Sequence, residues 1–192
     1  MAETVVVIFV EGDTEVDFYK KLVAYLREKS GGRLRCKVDV KNVKGVGRYQ
    51  SKVCRIFEKT IKVQYPGYKY KIALCYDSDV FEFSRKPPVD WAEITKLLKS
   101  KGADEVRLVK AVRSIEDWFL YDLEGLRKFL KLPKKSKMTG YTGQKGLEKL
   151  FLKANKTYIK GVRCNGLIEA LDLDIILPKR EHELHFVKSS KA

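Results

Sequence analysis

Apolar positions along the chain follow two alternating rhythms. Val5–Val10 is a continuous β-branched and aromatic run, which predicts a strand buried on both faces. It stops at Glu11-Gly12, and Asp13 or Thr14 can cap a helix there. Val16, Tyr19, Leu22, Val23 and Leu26 then recur at helical spacing until Gly31-Gly32. Residues 35–43 alternate as a second strand, and Lys44-Gly45-Val46-Gly47 reads as a loop. Residues 48–63 predict a helix with Val53, Ile56 and Phe57 inward, closed by the Pro66-Gly67 turn. Lys71–Tyr76 is a third buried strand, ending at Asp77-Ser78-Asp79. After Pro87-Pro88, Trp91, Ile94, Leu97 and Leu98 form a helical stripe that Gly102 ends. Residues 105–112 predict a fourth strand. Ser114 opens one long helix carrying Ile115, Trp118, Phe119, Leu126, Phe129 and Leu130. Strand and helix in alternation imply an α/β layer around a mainly parallel four-stranded sheet.

Past Pro133 the rhythm fades. Lys134–Gly143 predicts a mobile loop, and short helices come after it around Leu147–Ala154 and Leu167–Leu171. The expected organisation is an α/β domain over residues 1–132 and a small basic helical extension over 133–192.

Composition adds a solubility class. The 192 residues are 44% hydrophobic and 34% charged, the balance of a soluble globular chain. No apolar run reaches the length of a membrane span. The short Val5–Val10 run, ended by acids, does not read as a secretory signal. Cys36, Cys54, Cys75 and Cys164 form no CxxC pair and read as reduced thiols of a cytoplasmic protein.

Charge points to a partner. Forty Lys and Arg against twenty-five Asp and Glu leave a net charge of +15. Residues 128–163 hold eleven of the basic residues and a single acid, Glu148. A polyanion, nucleic acid first, is the implied partner. Lys134, Lys135, Lys137, Lys145, Lys149, Lys153, Lys156, Lys160 and Arg163 are the candidate phosphate contacts. A solvated lysine-rich face is the competing reading.

The chemistry lies in the acids at the strand ends. Glu11 follows the first strand, Asp77 and Asp79 the third, and Glu116 the fourth. In an open parallel sheet these positions share the carboxyl edge, where ligands bind. Carboxylates gathered there repel one another unless a cation joins them. An all-oxygen donor set suits Mg²⁺ or Mn²⁺, one ion or two. Alone, Asp-x-Asp is more often a turn or a cap; the shared placement carries the reading.

Other chemistries are weak or missing. His182 and His185 stand at i, i+3, not the i, i+4 of a zinc helix. There is no GxxxxGK[ST] sequence, so nucleotide hydrolysis by this chain is not expected. Tyr65, Tyr68, Tyr70, Phe81 and Phe83 lie beside turns and read as partial core in preference to base-stacking groups.

Glu11-Gly12-Asp13-Thr14-Glu15 with Asp77-Ser78-Asp79 resembles the TOPRIM domain of topoisomerases, bacterial primases, OLD-family nucleases and small ribosomal-RNA-maturing ribonucleases. The EGxTE form and Ser114-Ile115-Glu116 are most similar to the OLD-type nucleases. Trp118-Phe119-Leu120 is similar to small stand-alone TOPRIM proteins of bacterial defence systems. The resemblance spans about residues 4–125, with a weaker likeness at Tyr158-Ile159-Lys160-Gly161. It implies a TOPRIM/Rossmann-like fold and a metal-dependent nuclease acting on DNA or RNA. Asp77 would bridge two ions, Glu11 and Glu15 would hold one side with Asp79 nearby, and Ser114 and Glu116 the other. A downstream lysine would meet the scissile phosphate, with Lys160 the best match and Lys145 the second. It further implies a separate ATPase partner in an anti-phage system. A non-catalytic nucleic-acid-binding or scaffold protein on the same fold is the alternative. A homodimer stays open.

Overall fold

The computed structural model describes residues 3–78, 89–111 and 114–180. Four strands form one sheet: β1 (Thr4–Val10), β2 (Lys37–Asn42), β3 (Lys69–Asp77) and β4 (Glu105–Ala111). Their order is β2-β1-β3-β4 and every neighbouring pair is parallel. Predicted strand positions match the observed ones to within two residues at the described ends.

The continuous apolar run of β1 has a simple cause. Alternate residues of a strand face opposite sides, and both sides of this sheet are covered. Val5, Val7 and Phe9 join Ile72 and Leu74 in one core layer, under α2 (Tyr49–Ile56) and the later α4 (Trp91–Ser100). Val6, Ile8 and Val10 join Ala73 and Cys75 in the other, under α1 (Asp13–Lys29). Between α2 and α4 the helix runs on through a π turn, Phe57–Ile61, into α3 (Lys62–Gln64). Its inward residues Tyr49, Val53, Phe57 and Ile61 are fully buried.

The single helix expected after Ser114 is two: α5 (Ile115–Phe119) and α6 (Leu123–Phe129). Asp122 is the reason. Its Oδ1 accepts from Gly125 N at 2.8 Å, capping α6, and its Oδ2 accepts from Asp172 N at 2.7 Å. An aspartate that caps a new helix ends the old one.

The chain continues through α7 (Gly143–Lys153), α8 (Leu167–Ala170) and α9 (Leu173–Ile176). Leu147, Leu150, Phe151, Leu167, Ile168 and Ile176 are buried in the same layer as Val6 and Ile8. The Lys21 ammonium donates to the carbonyls of Ile168 and Glu169 at 3.0 Å and to that of Leu171, tying α1 to the end of α8. Among the described residues, no helix is long and apolar enough to cross a membrane.

Candidate functional site

The strand order defines where a ligand belongs. The chain leaves β1 toward β2 on one side and returns to build β3 and β4 on the other. The carboxyl ends of β1 and β3 therefore flank the topological switch point. Glu11 and Asp77 stand at those ends, and Glu11 Oε1 accepts from Asp77 N at 3.2 Å. Below them the buried Tyr49 hydroxyl reaches the carbonyls of Phe9 and Cys75.

Four of the expected acids gather here. Asp77 Oδ1 accepts from Ile115 N at 2.9 Å, which fixes the start of α5. Glu116, one residue on, is buried, and its Oε1 accepts from the Tyr158 hydroxyl at 2.8 Å. Glu15 Oε2 accepts from Gly12 N at 2.5 Å, the backward half of a capping box at the start of α1. Asp79 lies outside the described residues, as do His182, His185, Phe81 and Phe83.

Lys160 completes the group. Its Nζ is 2.7 Å from Asp77 Oδ2. Lys145, the second match for the downstream lysine, is exposed in the first turn of α7. The segment bearing Lys160 is clamped to the start of α1. Asp13 N donates to Gly161 O at 3.0 Å, and Thr14 Oγ1 to Val162 O at 2.7 Å. Gly12 and Gly161 touch backbone to backbone: a Cβ on Gly12 would lie 2.6 Å from Gly161 Cα. Gly161 also takes a left-handed φ of 76°. The Glu-Gly of the first motif is therefore a packing requirement as well as a chemical one.

A cavity of about 480 Å³ opens above this cluster, lined among others by Glu11, Glu15, Glu116, Tyr158, Lys160 and Lys44. Asp77, only 1% exposed, touches the lining residues Glu11 and Lys160. Burial pushes the Asp77 carboxyl up to about 7. The charges of Glu116 and Glu11 add to the rise, and the Lys160 ammonium opposes it. Burial also holds Glu15 well above the usual carboxylate range, reinforced by Asp77 and Glu11. Tyr158 is raised by burial and by the Glu116 charge, so it stays a hydrogen-bond donor.

The donors suit a hard cation in kind. Glu116 Oε2 and Ser114 Oγ are buried without a hydrogen-bond partner, and a buried acceptor left unpaired is costly. Among the described residues, however, no three His, Cys, Asp or Glu side chains converge closely enough to hold a metal. Glu15 is turned to its own helix, and Asp77 Oδ2 faces Lys160.

The basic segment is less uniform than its composition. Lys134, Lys135, Lys137, Lys149, Lys153, Lys156 and Arg163 are exposed. Lys153 donates to Lys137 O at 3.1 Å and lies over the Tyr141 ring. Lys156 lies over the Phe129 ring, and Arg163 pairs with Asp17 at 2.8 Å.

Three site residues escape sequence reasoning. Tyr158 falls in the weaker likeness at Tyr158-Ile159-Lys160-Gly161 but is given no role there; its contact with Glu116 supplies one. Asn42, whose Nδ2 donates to Asp13 Oδ1 at 2.6 Å, and Lys44 line the far wall. Their position at the end of β2 and just after it, at the same carboxyl edge, was the available signal. No protein-family model, curated protein or solved structure matches this chain.

Proposed function

We propose that this chain is a metal-dependent nuclease that hydrolyses phosphodiester bonds in DNA or RNA, on a TOPRIM-like site. The observation that carries the reading is the gathering of Glu11, Glu15, Asp77 and Glu116 from three chain segments around one lysine, Lys160, at the switch point of a parallel sheet. The mutual repulsion of these acids opposes folding.

Glu11, Asp77, Glu116 and Ser114 would hold Mg²⁺ or Mn²⁺, with Glu15 beside them and Asp79 following Asp77 in sequence. The bound ions would supply an activated water and stabilise the attacking and leaving oxygens of an in-line displacement. Lys160 pairs with Asp77 and offsets part of the acids' charge. With a phosphodiester present, its ammonium offsets the negative charge that develops on the phosphate. Tyr158 holds Glu116 by one oxygen and leaves the other, Oε2, for a ligand. The Gly12–Gly161 contact keeps Lys160 in reach. By analogy with the OLD-type nucleases, a separate ATPase would trigger the site in a cytoplasmic anti-phage system.

One observation favours a second reading, a nucleic-acid-binding or scaffold protein without turnover. It is the Lys160–Asp77 ion pair, which already neutralises the central carboxylate. Cleavage of supercoiled DNA, linear DNA, single strands and total tRNA separates the two, run with Mg²⁺ or Mn²⁺, with EDTA, and with Asp77→Ala. The nuclease reading expects metal-dependent cutting that Asp77→Ala abolishes while binding persists. Binding with no cutting under any condition supports the second, and cutting that survives in Asp77→Ala would place the activity outside this site and sink the first.

A further inference from the structure

The basic residues counted in the sequence cluster after Lys128, but the structure presents a second cationic surface. Arg48, Lys52, Arg55 and Lys59 succeed one another at steps of four, three and four residues. That spacing sets them on one face of the α2 helical run. The opposite face, Tyr49, Val53, Phe57 and Ile61, is sealed in the core. Among the described residues, none of the four cations is ion-paired with a carboxylate. Glu58, the one acid on this run, is taken by Lys101 at 2.8 Å. Lys52 is held below its ordinary range, first by desolvation and then by Arg48, Arg55 and Lys44, so these charges crowd one another.

The stripe starts at the site. The β2–α2 loop crosses the carboxyl edge of the sheet, where Gly45 N donates to Glu11 O at 2.9 Å. Lys44 takes a left-handed φ of 67°, with its N bonded to Asn42 Oδ1 at 2.7 Å, and it lines the cavity wall. Lys44 pairs only loosely with Asp13, at 3.6 Å, and is 60% exposed. From Arg48 to Lys59 the helical rise is about 16 Å. One strand of a duplex presents about five phosphates over that length.

We infer that the Lys44 loop and the Arg48-Lys52-Arg55-Lys59 stripe form a backbone-binding track that leads a nucleic-acid duplex into the carboxylate cavity. The inference rests on the nucleic-acid reading of that cavity. The chemistry selects the occupant. Guanidinium and ammonium groups at helical spacing match a row of phosphates. A membrane helix gains most from an inserted apolar face, and this helix keeps its apolar face in the core, so charge alone would hold it to lipid.

The test is equilibrium binding of a short DNA duplex across a salt series, in EDTA so that no cutting intervenes. Three proteins are compared: the unaltered chain, a variant carrying Arg48→Gln, Lys52→Gln, Arg55→Gln and Lys59→Gln, and a charge-matched control. The control carries Arg33→Gln, Arg35→Gln, Lys37→Gln and Lys69→Gln, at or before the amino ends of β2 and β3. The stripe variant is expected to flatten the slope of log K against log[salt] by about 3 to 4, near 0.9 for each phosphate that is no longer neutralised. The control is expected to leave it unchanged. An equal change in both variants would show a net-charge effect and overturn the track, as would an unchanged slope in the stripe variant. So would a stripe variant that loses binding to anionic phosphatidylserine vesicles but keeps its duplex slope. Because the assay needs no metal, a chain that never cuts can still show the track. A chain that cuts, with a stripe variant of normal slope, sinks the track alone.

Discussion

Two regions of this molecule concentrate charge, and they handle it in opposite ways. At the carboxyl edge of the sheet, Glu15, Asp77 and Glu116 are buried within one polar cluster. Along the helical run through α2, Arg48, Arg55 and Lys59 are exposed and Lys52 is half-buried. In the first region desolvation sets the protonation, so burial leads the causes that raise both Asp77 and Glu15. In the second, water and salt absorb most of the repulsion, and the charge acts at a distance on a partner. The same kind of crowding therefore means different things. The buried acids cost stability that a cation can return, whereas the exposed bases cost little and wait for phosphate.

The largest effect that separates the regions is pH dependence. Asp77 rises from an ordinary value near 3.8 to about 7 in the folded chain, and Glu15 also rises. A raised carboxyl holds its proton longer when folded than when unfolded. Its contribution to stability is therefore full below about pH 4 and is lost as pH climbs through the folded value. Each tenfold change in proton affinity is worth about 1.4 kcal/mol, so the loss between pH 4 and 7 reaches a few kcal/mol. Urea unfolding of the metal-free protein at several pH values should show it. Asp77→Asn should remove much of that slope, and Mg²⁺ should restore stability at pH 7 by binding the folded state. A slope unchanged in Asp77→Asn would mean that the buried acids are not its source. Replacing the stripe residues should leave the slope in place.

Much of the first region is legible in sequence. Strand ends are marked by the sudden polarity of Glu11-Gly12 and Asp77-Ser78, and a parallel sheet sends such ends to one edge. Lys160 is legible only through its neighbours, because nothing in a lysine-rich segment singles out the one that folds back on Asp77. Tyr158 is hidden for the same reason: its partner, Glu116, is 42 residues away. The helix break at Asp122 is missed because Leu126, Phe129 and Leu130 keep the helical period across it. The cationic stripe follows a period visible in the sequence, yet counting charges by segment hides it. Eleven cations between 128 and 163 outweigh four spread along one helix face, although several of the eleven are engaged by rings, carbonyls or Asp17.

A smaller effect tests the backbone clamp that holds Lys160 in the first region. Gly12→Ala drives a methyl to 2.6 Å from Gly161 Cα, and backbone cannot swing aside as a side chain can. The expected cost is about 1 to 3 kcal/mol of stability, typical of overpacking. Metal-dependent cutting should fall further than stability does, because the 160–162 segment must shift and carry Lys160 with it. The unaltered chain is the reference. Equal activity in Gly12→Ala and the unaltered chain, measured on folded protein, would detach the clamp from the chemistry.

The smallest expected effect belongs to Arg163, which closes the same segment from outside. Its guanidinium pairs with Asp17 through Nε at 2.8 Å and Nη2 at 3.1 Å. The pair is two-pronged but open to water, so Arg163→Ala should cost little stability. The cost should shrink as salt rises, because exposed pairs are screened. The variant also asks what this arginine does for binding. If Asp17 holds it, its removal should change the salt slope for duplex DNA far less than removal of Arg48, which has no such partner among the described residues. Slopes that fall equally would mean that phosphate outcompetes Asp17, and the two basic surfaces would then act as one.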